Sequence, residues 1–298
     1  MSKNLLEFQV DRIPHLQQLS VRRSTIFEGD ALTVLRLIPS GSVRCIVTSP
    51  PYWGLRDYKI TGQIGLETTI DQFINRLVGV FSEAKRVLSD DGTLWLNMGD
   101  GYTSGGRPSS APDKRYQGRT VNVRLNTPEG LKPKDLIGTP WRLAFALQSN
   151  GWYLRSDIIW HKPNAQPESV KDRPTRSHEY LFMFSKSEKY YYDWRIMREK
   201  ANNGGTRNRR SVWNVNTKPF LGAHFATFPQ ELIRPCILAS SSVGDYVLDP
   251  FFGSGTVGLV CKNDGREFIG IEINPEYIEL AKNRVKEGVG EVIRIESA

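Results

Sequence analysis

Cysteine is scarce in this sequence: Cys45, Cys236 and Cys261 are the only three in 298 residues. They stand far apart in apolar surroundings, with neither the even count of a disulfide framework nor the close spacing of a zinc site. Buried thiols are the expectation, and no metal is called for. No run of about 18 apolar residues occurs, which argues against a transmembrane helix. The opening MSKNLLEFQV lacks the apolar centre of a secretory signal, so an intracellular, cytoplasmic protein is expected. Also missing is a GxxxxGK(S/T) loop, which disfavours a nucleoside triphosphate. There is no internal repeat.

What is abundant is positive charge. Lys plus Arg number 40 against 32 acidic residues, for a formal net charge of +8. A basic surface holds a polyanion by releasing its counterions, a contribution that does not depend on base sequence. The distribution is more telling than the sum. Arg107, Lys114, Arg115, Arg119 and Arg124 share one Gly/Ser-rich stretch, and Arg195, Arg198, Lys200, Arg207, Arg209 and Arg210 share another. Such clusters suit arms that reach phosphates, solvated loops being the alternative.

Between these stretches, short strand-like runs alternate with longer helical ones. VRCIVT at 43–48 is a continuous β-branched run, as expected of a strand buried on both faces. Ile70, Phe73, Ile74, Leu77, Phe81, Ala84 and Leu88 recur at helical spacing. Asp90-Asp91-Gly92 reads as a turn into the strand TLWLN. Thr139-Pro140 reads as an N-cap with proline in the first helical turn. Further strands are expected at 152–159, 179–185, 246–249 and 268–273. Thr227 with Gln230 fits a capping box opening a helix over 228–239, and Asn274-Pro275 opens a last amphipathic helix. Strands alternating with helices imply an α/β, doubly wound, mostly parallel sheet. The interruptions at 101–135 and 194–222 read as long polar loops, and loops of that length are usually functional or disordered.

Two segments carry chemistry. DPFFGSGT, Asp249 to Thr256, lies between a strand and a helix. Its glycines allow a sharp turn close to a ligand, and the helix start offers free N–H groups. Glu272 ends the next strand, where a carboxylate can take the two hydroxyls of a ribose. The combination points to an adenosine-bearing cofactor. The other segment, Ser49-Pro50-Pro51-Tyr52-Trp53, directly follows the 43–48 strand. Two prolines stiffen the backbone and remove two donors, so the Pro50 carbonyl stands beside the Ser49 hydroxyl. Those acceptors suit an exocyclic amine, and Tyr52 offers a face on which a base can stack after leaving the duplex. A rigid structural loop is the alternative reading of this segment.

Together the two segments resemble the amino-methylating (N4-cytosine/N6-adenine) DNA methyltransferases. SPPYW is similar to their catalytic motif, (D/N/S)-P-P-(Y/F/W), and DPFFGSGT to their cofactor motif. The catalytic motif comes first, as in the permuted beta group. HFATFPQELI, residues 224–233, resembles the helix that touches the methionine part of the cofactor in that group. FEGDAL with Asp30 resembles an N-terminal strand end near the adenine, and residues 173–187 resemble the later strands. The resemblance implies S-adenosyl-L-methionine as cofactor and double-stranded DNA as substrate. Carried over residue by residue, Ser49 and the Pro50 carbonyl orient the amine and Tyr52 stacks on the base. Phe251, Gly253, Gly255 and Thr256 line the cofactor pocket, with Asp249 either touching the cofactor or capping its strand end. Glu272 holds the ribose, Asp30 the adenine end, and Thr227, Phe228 and Pro229 the methionine end. Trp53, His161 and Lys162 fall near the base, ordinary strand-end roles being the alternative for the last two. Arg107, Arg115, Arg119, Arg207, Arg209 and Arg210 reach DNA.

Serine before Pro-Pro is that family's tendency for cytosine N4, and aspartate or asparagine its tendency for adenine N6. Cytosine is therefore the expected target and adenine the alternative. Carbon-5 methylation needs a thiolate that adds to the ring. Pro235-Cys236 offers the residue pair, but inside an expected helix. An RNA methyltransferase and a catalytically silent DNA-binding protein are the more distant readings. The expected organisation is one catalytic domain over 1–298, with a target-recognition region inserted at about 190–222 and a DNA-contacting loop at 101–135. The resemblance also admits a homodimer and a restriction endonuclease acting on the same site.

Overall fold

The computed structural model describes residues 24–55, 57–103, 127, 130–202, 204–218, 228–285 and 291–294. Its centre is a nine-stranded sheet. In chain order the strands begin β1 (Thr25–Glu28), β2 (Val43–Thr48), β3 (Leu88–Met98), β4 (Tyr153–His161) and β5 (His178–Ser185). Next come β6 (Arg198–Lys200) and β7 (Thr206–Asn208), which stand apart as a hairpin. The sheet resumes with β8 (Val212–Asn214), β9 (Tyr246–Asp249), β10 (Glu267–Glu272) and β11 (Glu291–Arg294). In space its strands run β11-β1-β10-β9-β2-β3-β5-β4-β8. The five pairings from β11 to β3 are all parallel, and β5 is antiparallel to both β3 and β4. The sheet is thus mostly parallel, with an antiparallel turn-back at one side.

The helices cover both faces, and the strands alternate to meet them. On one face α1 (Ala31–Leu35), α2 (Ile70–Val87) and α3 (Thr139–Ser149) pack over Ile46, Leu94, Leu96, Phe182, Phe184, Leu248, Ile269 and Ile271. On the other, α4 (Gln230–Ser240), α5 (Thr256–Asn263) and α6 (Pro275–Val285) pack over Cys45, Val47, Trp95, Leu181, Met183, Val247 and Phe268. Each central strand is apolar on both sides, which is why its sequence reads as an unbroken hydrophobic run.

Helix α2 forms where the spacing places it. Its start is closed by a capping box in which Thr69 and Gln72 each bond the other's backbone N–H. Elsewhere local expectations yield to tertiary context. Asp90-Asp91-Gly92 does not end the chain's direction. It lies within β3 as a bulge, where β2 advances from Val43 to Cys45 while β3 advances from Leu88 to Thr93. Thr139 is the first residue of α3 rather than its cap. Gly138 holds the cap position at φ +77°, and the Asp100 carboxylate accepts from the Gly138 and Thr139 N–H groups at 2.9 and 3.0 Å. A carboxylate from the end of β3 therefore caps a helix 38 residues later. Helix α4 is capped by Pro229 without any side-chain bond, and Gln230 opens it. Thr227 lies outside the described residues.

The described residues of 194–222 are more ordered than their composition suggests. They contain the β6–β7 hairpin and then β8, which joins the main sheet parallel to β4. Most of 101–135 lies outside the described residues, Arg107, Arg115 and Arg119 included. No helix among the described residues is long and apolar enough to cross a membrane.

Candidate active site

The carboxyl ends of β1, β2, β3, β9 and β10 point to one edge of the sheet, and the antiparallel β5 starts there. A cavity opens along this edge. Gly29 and Asp30 after β1, Ser49 to Tyr52 after β2, Asp249 to Ser254 after β9 and Glu272 at the end of β10 all wall it. Phe228, from just before α4, and Thr256 complete the set of sequence-predicted residues in the wall. Segments about 200 residues apart in sequence thus share one cleft, the place where open α/β sheets bind ligands.

The turn after β9 is held from three directions. The Asp249 carboxylate accepts from the Thr48 hydroxyl at 2.6 Å and from the Phe251 N–H at 3.0 Å, tying β9 to its neighbour β2. The Gly253 N–H donates to Glu272 at 2.7 Å, with Gly253 at φ +50°, a conformation that favours glycine. From α6, Arg284 donates to the Ser254 carbonyl and to the Ser254 and Thr256 hydroxyls. Glu272 receives a second backbone donor, the Asn274 N–H, at 2.8 Å. Burial pushes the carboxyls of Asp249 and Glu272 up to about 7 against these hydrogen bonds, which pull the other way. Asp30 caps α1, accepting from the Thr33 N–H and hydroxyl at 2.9 Å each. Gly255 does not line the cavity. It caps α5 at φ +78°, where a Cβ would lie 2.9 Å from the Ala281 Cβ on α6, so its lack of a side chain serves packing.

At the other end of the cavity stands the loop after β2. Its path is fixed by the Gly54 N–H to the Gly65 carbonyl at 2.7 Å. The Trp53 indole N–H is spent on the Glu67 carbonyl at 2.8 Å, and Trp53 is absent from the cavity wall. The Tyr52 phenol donates to the Glu179 carboxylate at 2.9 Å. Burial, reinforced by the Glu179 charge, raises the phenol well above its ordinary range, so it stays a donor.

Family-level comparison matches residues 43–283 to a family described as DNA methylase. The chain is 68% identical to the Type II methyltransferase M.Cfr9I of Citrobacter freundii over 99% of both chains. It is 70% identical to M.XycI of Xanthomonas campestris pv. cyanopsidis, over 97% of this chain and 96% of that one. The chain belongs to the amino-methylating DNA methyltransferases. Its fold is also that of a solved cytosine-N4-specific PvuII DNA methyltransferase, with a TM-score of 0.66 at 20% identity over 92% of this chain and 96% of that chain. A putative DNA modification methylase of Thermus thermophilus, solved in complex with S-adenosyl-L-methionine, matches at a TM-score of 0.62 and 26% identity, over 92% of this chain and 100% of that one. S-adenosyl-L-methionine is the cofactor of this family.

The remaining sequence-predicted residues of the methyltransferase distribute unevenly. Pro229 caps α4 beside the wall residue Phe228. His161 ends β4, its Nδ1 2.8 Å from the Asn214 amide oxygen on β8. Lys162, the next residue, pairs with Glu179 and lies over the Trp160 ring. Arg207 pairs with Glu199 across the β6–β7 hairpin at 2.8 Å. Arg209 is no free arm. It is half-buried with its guanidinium 3.8 Å from the centre of the Trp213 ring. Arg210 and Arg207 share a shallow hollow with Asn214, beside His161. Cys236 is fully buried on α4, where burial pushes its thiol well above the ordinary range and makes it a poor nucleophile. Among the described residues no cluster of His, Cys, Asp and Glu could hold a metal.

Sequence reasoning missed Glu179, which the fold brings to Tyr52. Its one signal was an acidic residue at the head of the apolar run YLFMF. Missed too were Tyr58 and Tyr277, which wall the cavity and stand edge to face, 5.7 Å between ring centres.

Proposed function

We propose that this methyltransferase transfers a methyl group from S-adenosyl-L-methionine to the exocyclic N4 amine of a cytosine extruded from duplex DNA. The observation that carries the reading is that Ser49 to Tyr52 and Asp249 to Ser254 wall the same cavity. The residues present fit the cofactor. Its sulfonium and ammonium charges match a wall holding Asp30, Asp249 and Glu272, and the open turn at Gly253 lets backbone approach closely. Glu272 accepts from the ribose hydroxyls, Asp30 faces the adenine end, and Phe228, Pro229 and Thr227 serve the methionine end. When bound, the cofactor supplies a methyl already activated by its positively charged sulfur.

The protein's own part is holding and orienting. Tyr52 presents a ring to the extruded base. The Ser49 hydroxyl and the Pro50 carbonyl accept from the two amine hydrogens, which turns the nitrogen lone pair toward the methyl. Held this way, the nitrogen would meet the activated methyl that the bound cofactor supplies, its sulfur leaving as a neutral thioether and the displaced amine proton passing to water. No enzyme nucleophile takes part, and positioning supplies much of the acceleration. Serine at position 49 offers a neutral acceptor, which supports cytosine over adenine.

The whole chain acts as one catalytic unit, with the β6–β7 hairpin and its flanks as the target-recognition region and the 101–135 stretch as a second DNA contact. Arg207 and Arg210 stand where they can reach phosphates, while Arg209 braces the region from within. The likeness to Type II methyltransferases supports a role beside a restriction endonuclease that cuts the same site. The test is direct: methylate unmodified genomic DNA with labelled cofactor, digest to nucleosides and identify the product by mass spectrometry. N4-methylcytosine supports the proposal, and N6-methyladenine overturns the choice of target.

A further inference from the structure

Glu179 belongs to neither sequence motif, yet β3, the end of β4 and the catalytic loop each bring a partner to its carboxylate. It is the second residue of β5, and its side chain is only 15% exposed. One oxygen, Oε1, pairs with the Lys162 ammonium just beyond β4. The other, Oε2, accepts from the Asn97 amide on β3 at 3.2 Å and from the Tyr52 phenol at 2.9 Å. Asn97 is fixed in turn by the Tyr180 carbonyl at 3.1 Å. A carboxylate so far from water needs such partners. They also leave it one orientation, and that orientation aims an acceptor at the phenol.

The ring is confined from a second side. A Cβ on Gly99 would lie 2.9 Å from Tyr52 Cε2 and 3.1 Å from Glu179 Cδ, so the backbone after β3 presses against both side chains. Tyr52 is therefore clamped between a backbone that admits no side chain and a carboxylate that holds its hydroxyl. Glu179 itself is absent from the cavity wall. Loss of its carboxylate should free the ring without touching the cofactor. A base that stacks on a free ring must order that ring first.

We propose that Glu179 is a positioning residue for the target base: pinned by Lys162 and Asn97, it locks the Tyr52 ring in the plane that receives the extruded base. The inference rests on the assignment of Tyr52 as the stacking face, and the test separates the two. Total labelled methyl transferred to genomic DNA is measured for the full chain, so the identity of the methylated base does not enter. Cofactor affinity is measured by calorimetry on the same samples. Glu179→Leu is expected to lower kcat by about tenfold, as is Tyr52→Phe, each losing one charge-assisted hydrogen bond. Cofactor Kd should stay within about twofold, because Glu179 touches none of the cofactor wall. The double variant should be no slower than the slower single, because both remove the same bond. Glu179→Gln with Lys162→Met keeps an acceptor for the phenol without turning an amide N–H toward the ammonium, and should recover most of the rate. If Glu179→Leu alone fails to fold, Glu179→Leu with Lys162→Met removes the pair without stranding a buried charge and is read the same way. Losses that multiply in the double variant, no recovery with glutamine, or a cofactor affinity that falls with the rate would each overturn the positioning role. Tyr52→Ala tests the premise: undiminished transfer removes Tyr52, and with it the proposal. A dead Tyr52→Ala beside fully active Glu179→Leu and Tyr52→Phe overturns the tether alone.

Discussion

The two ends of the cavity are made of different material. At the end formed by β1, β9 and β10, the wall is a turn whose N–H groups bond Asp249 and Glu272, with strands parallel and closely hydrogen-bonded beneath it. At the other end, the wall is the loop after β2, and its Tyr52 is backed by side chains from β3, β5 and the end of β4: Asn97, Glu179 and Lys162. A common cofactor can be held by backbone, whose geometry is fixed by short-range sequence. A particular base at a particular DNA site calls for side chains, and these meet only when distant strands pair.

Substitutions at the two ends should separate along this line. The largest effect is expected at the base end. Ser49→Ala should lower kcat by about 100-fold while DNA and cofactor affinities change little, since its acceptor matters most as the amine reacts. A variant with unchanged turnover would remove Ser49 from the chemistry. At the cofactor end, Gly255→Ala places a methyl against Ala281 at a positive φ, and should cost about 1–3 kcal/mol of folding stability in urea titrations. Unaltered stability there would show that the turn tolerates a side chain.

Protonation offers a subtler contrast. Asp249 and Glu272 bind protons more tightly folded than unfolded, having moved from the ordinary carboxylate range near 4 up to about 7. Their joint contribution to the stability of the cofactor-free protein therefore falls as pH rises from about 4 to 7, and is level beyond. The cationic cofactor favours the ionised forms, so its affinity should rise several-fold between about pH 6 and 8. Calorimetric titrations across that window check the sign, and a flat profile would detach both carboxyls from binding. Smaller still, Arg210→Ala should weaken binding to any duplex a few-fold and reduce the log–log salt slope by about 1, leaving cofactor affinity alone. Last, Cys236→Ser should leave turnover unchanged; abolished activity in a folded protein would reopen thiolate chemistry.

Much of this molecule is legible in its sequence because the responsible forces are local. The unbroken run 43–48, the helical spacing of Ile70 to Ala84 and the glycines of 249–256 state their conformations within a few residues, and the order of the two motifs states the permutation. Tertiary structure decided what depends on partners distant in the chain. Asp100, not Thr139, caps α3, because the end of β3 brings a carboxylate to that helix. Arg209 is drawn inward by Trp213, and β8 adds a strand where composition suggests only a loop. Glu179 becomes the support of Tyr52 because β5 runs back antiparallel beside β3, placing its head at the edge where β2 ends. Local sequence carries backbone preference, but a side chain's partner is set by strand pairing, and pairing is a property of the whole sheet.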